Sequence, residues 1–296
     1  MAMNRLDSPV RAQILRCLVE GNSVRATARL TGVEKRTVTR MLIDAGRACQ
    51  AYQDQVLCDL PCKRVQVDEI WSFVYSKQKN VKTAKAAPEG AGDAWTWVAI
   101  CADTKLAVSW LVGERNAVYA HAFIHDVWER LAGRVQLTSD GHATYRDAVE
   151  QVFGIDVDYA QLVKSYGPSP EGEKRYSPAV CTGAKKVPIT GEPDLKHVST
   201  SFVERQNLTM RMAMRRFTRL TNAFSKKLEN HAYAVSLHFM NYNFIRQHQT
   251  LRVSPAMAAG VTDRLWTVED IIGLVDQMAP GPKPRGPYKK MRTVAA

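Results

Sequence analysis

The sequence predicts an α/β protein: a mixed sheet flanked by helices, preceded by an all-α N-terminal unit and followed by a helical C-terminal extension. Three observations carry this. Between residues 63 and 164, short runs rich in Val, Ile and aromatics alternate with stretches of helical periodicity. Residues 9–45 show helical patterning alone, and helical patterning returns after residue 200. At 296 residues the chain is long enough for one large core with a small unit appended.

Taken in order, residues 9–19 suit a first helix, with Pro9 in its first turn. "GNSVRATARLTGVEKRTVTRMLIDAG" then offers Ser23 as an N-cap, a helix to Leu30, a turn at Thr31-Gly32 and a helix over 34–43. Ala28, Gly32 and Val38 have the spacing of a helix–turn–helix: the small Ala permits close approach, Gly takes the positive φ of the turn, and Val packs inward. That leaves Lys35, Arg36, Thr37, Thr39 and Arg40 to face a DNA major groove. Residues 46–62 read as a helical or irregular connector ending at Pro61, and "KRVQVDEIWSFVYSK" (63–77) as a buried strand. A lysine-rich loop (77–93) leads to two strands, "AWTWVAICADT" and "KLAVSWLVGER", joined around residues 103–105. A helix over 118–132, a strand over 134–141, a helix in "HATYRDAVEQVFG" and a strand over 155–164 complete the alternation. Residues 166–199, with Gly and Pro throughout, read as a loop insertion. A basic helix over 200–220 follows, then helical segments near 224–247 and 267–279 and a proline-rich basic tail. A three-strand meander followed by alternating helices and strands is the element order of the ribonuclease H fold. The expected division is residues 1–60, helix–turn–helix and connector; 61–260, ribonuclease H-like domain; and 261–296, C-terminal helix and tail.

Charge narrows the function. The net charge is +12, and residues 200–296 hold 15 Lys and Arg against 6 acids, whereas residues 61–199 are balanced. Segregated positive charge favours a polyanion such as nucleic acid over a membrane surface. No run of eighteen apolar residues and no apolar leader stretch are present, so a cytoplasmic protein is expected. Of the six cysteines only Cys58 and Cys62 are close, and no second pair stands at zinc spacing, so reduced thiols are expected.

Three carboxylates sit on elements that could converge. Asp68 lies inside the first strand, where an acid is costly unless paired or metal-bound. Asp140 ends the fourth strand in "TSDGHATY", and Glu204 heads the basic helix, 64 residues further on. In a ribonuclease H arrangement the first and fourth strands are neighbours and the last helix crosses beside them. Such a cluster suits hard divalent cations: two Mg²⁺ (or Mn²⁺) ions about 3.5–4 Å apart can activate an attacking oxygen and stabilise the leaving oxygen of a phosphodiester. Arg211 lies two turns after Glu204 on one face, and Arg215 and Arg219 extend that stripe, so metal and DNA phosphates would share a face. Glu69, adjacent to Asp68, should point to the other side of the sheet and serve as a supporting or salt-bridged acid. Asp103, Asp147 and Asp156 read as turn or surface acids, and His142 as a surface or capping residue.

"VDEIWSFV", "TSDGHATY" and "FVERQNLTMRMAMRRFTRLTNAFSKK" resemble the catalytic blocks of bacterial insertion-sequence DDE transposases, most like the insertion sequence one family. "NYNFIRQHQTLRVSPAMAAG" is similar to the segment that often closes such domains, so the resemblance spans about 63–260 plus the helix–turn–helix. "ERQNLTMR" around Glu204 is its most specific piece. The resemblance implies that the triad falls on Asp68, Asp140 and Glu204 and its following basic residue on Arg211. It implies Mg²⁺-dependent cleavage at transposon ends and transfer of the 3′-hydroxyl into target DNA. It further implies terminal inverted repeats and target duplex as partners and a homo-oligomer on DNA. A cysteine-rich zinc-binding segment that many relatives carry at the N-terminus has no counterpart here. A metal-dependent nuclease that does not join, or a catalytically inactive DNA-binding regulator, are the alternatives.

Overall fold

The β-branched and aromatic run RVQVDEIWSFV forms β1 (Arg64–Val74), the central strand of a six-stranded sheet. The structure, a computed structural model, describes residues 6–167, 181–218 and 223–279. On one side of β1 lie β2 (Gly92–Cys101) and β3 (Ala107–Gly113); on the other lie β4 (Val135–Asp140), β5 (Val157–Tyr166) and β6 (Cys181–Thr190). The order is β3-β2-β1-β4-β5-β6. β2, β3 and β6 are antiparallel to the strands they follow, while β1, β4 and β5 are mutually parallel. A meander continued by two parallel strands is consistent with a ribonuclease H-like arrangement.

The pleat of β1 separates two layers. Glu69 points toward α6 (Ala143–Phe153), where it accepts the Tyr145 hydroxyl at 2.9 Å; α5 (Ala117–Glu129) lies beside α6. Asp68 points the other way, toward α7 (Ser201–Ala213), where Asn207 reaches it. α8 (Leu228–Met240) covers the same side farther along, with Phe239 stacked on Trp110 of β3 at 4.6 Å.

α1 (Ser8–Val19), α2 (Val24–Thr31) and α3 (Lys35–Val56) form the N-terminal helices, with the Ser23 side chain capping α2 and Gly32 at φ +67° in the turn. Of the helical and irregular forms expected for the connector over 46–62, the helical one holds to Val56, continuing α3. Val38, Met41, Leu42, Ala45, Ala48 and Cys49 keep one buried helical stripe, and Gly46 extends it. A Cβ on Gly46 would lie 2.4 Å from both the Cβ and the carbonyl oxygen of Tyr233, so this glycine sets how closely α3 meets α8. α10 (Val268–Met278) packs on α1 and α3, and its Asp276 takes a two-pronged contact from the buried Arg11 at 2.6 and 2.9 Å. One continuous hydrophobic cluster runs from these helices into the sheet.

The 166–199 segment corrects the loop expected there. Its second half is β6, an exposed edge strand on β5. Gly183 and Pro188 hide it from strand propensity; Pro188 stands beside an irregular step in the pairing, on an edge that tolerates a missing donor. The basic helix expected over 200–220 ends earlier, at Ala213. Met214 is extended and a tight turn at Arg215–Phe217 brings Phe217 into the core against the His231 ring at 5.2 Å. The lysine-rich loop contains a short helix, α4 (Gln78–Val81). After α8 the chain makes a wide turn at Asn241–Ile245 and a short helix, α9 (Pro255–Ala258). The cysteines are free thiols, Cys58 and Cys62 among them. No helix among the described residues is long and apolar enough to cross a membrane.

Candidate active site

The parallel ladder between β1 and β4 ends at Gln66 and Thr138, two residues before Asp68 on one strand and Asp140 on the other, and the Asp140 charge is felt at Asp68. Gln66 and Asp68 share a face of β1 and position α7 along it. The Gln66 side-chain oxygen accepts the Phe202 and Val203 amides at 2.8 and 3.2 Å, satisfying donors that a helix start leaves unpaired. Two residues along β1, Asp68 Oδ2 accepts from Asn207 Nδ2 at 2.8 Å. Glu204 is one turn before Asn207 on α7, between these anchors.

Electrostatics registers the convergence. Burial, followed by the charges of Glu69, Asp140 and Glu204, pushes the Asp68 carboxyl up to about 7. Asp140 Oδ1 accepts the His142 amide at 2.9 Å, which holds the turn out of β4; His142 precedes the first residue of α6, but its side chain makes no cap hydrogen bond. Glu204 is paired with Lys164 of β5 and accepts the Thr200 hydroxyl. Burial pulls Lys164 down, but its hydrogen bond and charge contact with Glu204 leave it above the ordinary lysine range. Glu69 is a buried structural acid, held by Arg115 Nε at 2.5 Å and by Tyr145. Asp103 is taken by Arg64.

Carboxylate oxygens are the donors a hard divalent cation prefers, and the Asp68 carboxyl is raised first by burial and then by the neighbouring acids. As arranged, no three acidic, His or Cys side chains among the described residues stand close enough to share an ion, and Glu204 is turned toward Lys164 and Thr200. As it stands, this arrangement is not a three-donor cation site among the described residues.

The expected DNA contacts divide. Arg211 lies in the last turn of α7 in line with Glu204. Arg215 leaves that line because the helix stops at Ala213, and Arg219 lies outside the described residues. On α3, Lys35, Arg36 and Arg40 are exposed, whereas Thr37 and Thr39 are half-buried. The Thr39 hydroxyl bonds back to the Lys35 carbonyl at 3.0 Å. Lys35 and Thr39 also border a cavity of about 900 Å³ shared with Arg215 and Arg216, so part of this face turns toward the body of the protein.

Sequence reasoning passed over Gln66, Lys164 and Asn207. Asn207 was findable, since it stands three residues after Glu204 on one helix face. Lys164 is brought to Glu204 only by the β4–β5 register and gives no local signal.

No protein-family profile and no curated protein matches the chain. Among solved structures it is similar to a simian T-cell lymphotropic virus intasome in complex with PP2A regulatory subunit B56 gamma. That match has 11% identity over 80% of this chain and a TM-score of 0.40, and spans 62% of the other chain, less than two thirds. It is also similar to the Mos1 mariner paired end complex with Mn (12% identity, 81% of this chain, 77% of that chain, TM-score 0.27). A piggyBac transposase synaptic complex with hairpin DNA is similar at 10% identity over 75% of this chain and 55% of that one, TM-score 0.31. At these overlaps the reading of the site rests on this chain's own residues.

Proposed function

We propose that the chain is a DDE-type DNA transposase, most like the insertion sequence one family, in which Asp68, Asp140 and Glu204 hold the divalent metal. The observation that carries this is a carboxylate on β1 lifted to about 7 by burial and by acids that include Asp140 and Glu204, on a strand, strand and helix that converge. Mg²⁺ or Mn²⁺ bound there supplies charge stabilisation to the phosphoryl oxygens and to the attacking and leaving oxygens of a phosphodiester.

The remaining roles belong to the chain itself. Asn207 orients the Asp68 carboxylate and Gln66 fixes the first turn of α7. Lys164 holds Glu204 and compensates charge until metal arrives. Arg211, in line with Glu204, contacts phosphates of the strand being cut. Lys35, Arg36 and Arg40 on α3 read terminal inverted repeats, and the protein works as a homo-oligomer holding two ends.

Thermal unfolding with added Mn²⁺, read alongside nicking of supercoiled plasmid, tests the site. Wild type should gain stability and nick in Mn²⁺; Asp140→Asn should do neither while still binding duplex DNA. Equal nicking by Asp140→Asn would sink the assignment. The Lys164–Glu204 pair favours one second reading, a DNA-binding regulator whose carboxylates never take metal. Stability unchanged by Mn²⁺, together with tight duplex binding, would select it.

A further inference from the structure

On the far flank of α7 from Glu204, a cavity of about 400 Å³ opens between the start of β1, the β2–β3 turn and the segment before α7. Its lining carries three cations, Arg64, Lys105 and Lys196, against a single acid, Asp103, with His197 beside them. Asp103 is already engaged by Arg64 through both carboxylate oxygens, and Arg64 also meets His197 Nδ1 at 2.5 Å. Lys105 and Lys196 form no ion pair among the described residues, although the Asp103 charge is felt at Lys105. The Lys105 ammonium sits 3.2 Å above the Phe202 ring and bonds the Ala102 carbonyl. Burial, and the charge of Arg64, hold it below the ordinary lysine range against the pull of Asp103. Phe202, in the first turn of α7, forms part of the wall, and the amides of that turn are already taken by Gln66.

Three cations crowded against one acid leave net positive charge in the cavity, which suits a tetrahedral polyanionic group. We infer that this cavity seats a DNA backbone phosphate, as a second anchoring point for the duplex that the candidate active site acts on; the inference rests on that functional reading. Arg64 is four strand residues before Asp68, about 13 Å along β1. That is about four nucleotide steps at 3.4 Å of duplex axis each. Phe202 and Glu204, two helix positions apart, face opposite flanks of α7, so a duplex lying over the first turn reaches both. The contact positions DNA and reads no sequence.

The test compares wild type with Lys105→Gln/Lys196→Gln, titrating a labelled duplex at several KCl concentrations and, separately, inorganic pyrophosphate by calorimetry. Removing two phosphate-facing charges should weaken duplex binding about tenfold at moderate salt and lower the salt slope by about 1 to 2. Metal-dependent stabilisation through Asp68 should be retained. Lys196→Gln alone, on an exposed side chain, should lower the slope by about 1 and serves if the double variant does not fold. Wild type and variants with equal slopes would overturn the inference while leaving the DNA reading intact. Pyrophosphate binding lost in the variant, with an unchanged duplex slope, would assign the cavity to a free phosphate instead. Wild type that binds no duplex at all would overturn both readings.

Discussion

Asp68 should make the metal-free protein less stable at neutral and alkaline pH. Its carboxyl is raised from 3.8 to about 7, first by burial and then by Glu69, Asp140 and Glu204. An acid raised in the folded state binds its proton more tightly folded than unfolded. Stability is therefore full below about 4, falls as pH rises through about 7, and stays low beyond. The free-energy equivalent of that displacement is about 4 kcal/mol, an upper limit because side chains relax around the charge. Asp68→Asn keeps an oxygen to accept the Asn207 amide but carries no charge. In EDTA at pH 8, urea unfolding should show Asp68→Asn more stable than wild type by up to about 4 kcal/mol, with the gain vanishing toward pH 4. Excess Mn²⁺ should stabilise wild type and not the variant. A variant no more stable than wild type at pH 8, or a gain independent of pH, would refute the reasoning.

Three more outcomes follow from named contacts. Gly46→Ala should destabilise the fold by about 1–3 kcal/mol, because its Cβ meets Tyr233 backbone that cannot swing aside; calorimetry would read the drop in Tm, and an unchanged Tm would show that α3 and α8 can part freely. Lys164→Met should release Glu204 and tighten Mn²⁺ binding by up to about fivefold, the worth of an exposed ion pair, as read by titration calorimetry; weaker binding would make Lys164 part of the metal site's support. His231 and His238 are pushed down to about 3 and about 4 by burial and then by Arg216 and Arg246. The unfolded chain takes those protons first, so the unfolding free energy from urea titrations should fall as pH drops below about 6.5, by about 1.4 kcal/mol per histidine per pH step. His231→Gln should remove part of that slope.

Much of this arrangement was legible because strands and helices carry opposite periodicities. The meander, β4 with Asp140 at its end and the following helix all announce themselves through Val-rich runs and turn residues. Alternation along β1 alone separated Asp68 from Glu69, and Glu69 does face Arg115 and Tyr145. Three features were hidden for physical reasons. β6 is an edge strand of Gly, Lys and Pro that gains its shape from pairing with β5, not from propensity. α7 stops at Ala213 because Phe217 is drawn into the core, a tertiary demand that overrides good helix formers. Lys164 lies 40 residues from Glu204 and meets it only through sheet register. The arginine stripe suffered most, since its continuity assumed a helix that runs past residue 213.

The central claim is that Asp68, Asp140 and Glu204 act as one metal-dependent unit on DNA. It is tested most directly by strand transfer on labelled transposon-end DNA in Mg²⁺, comparing wild type with Asp68→Asn, Asp140→Asn and Glu204→Gln, and scoring end binding in parallel. Wild type should join ends to target, and each substitution should abolish joining while end binding survives. Variants that join as well as wild type would contradict it.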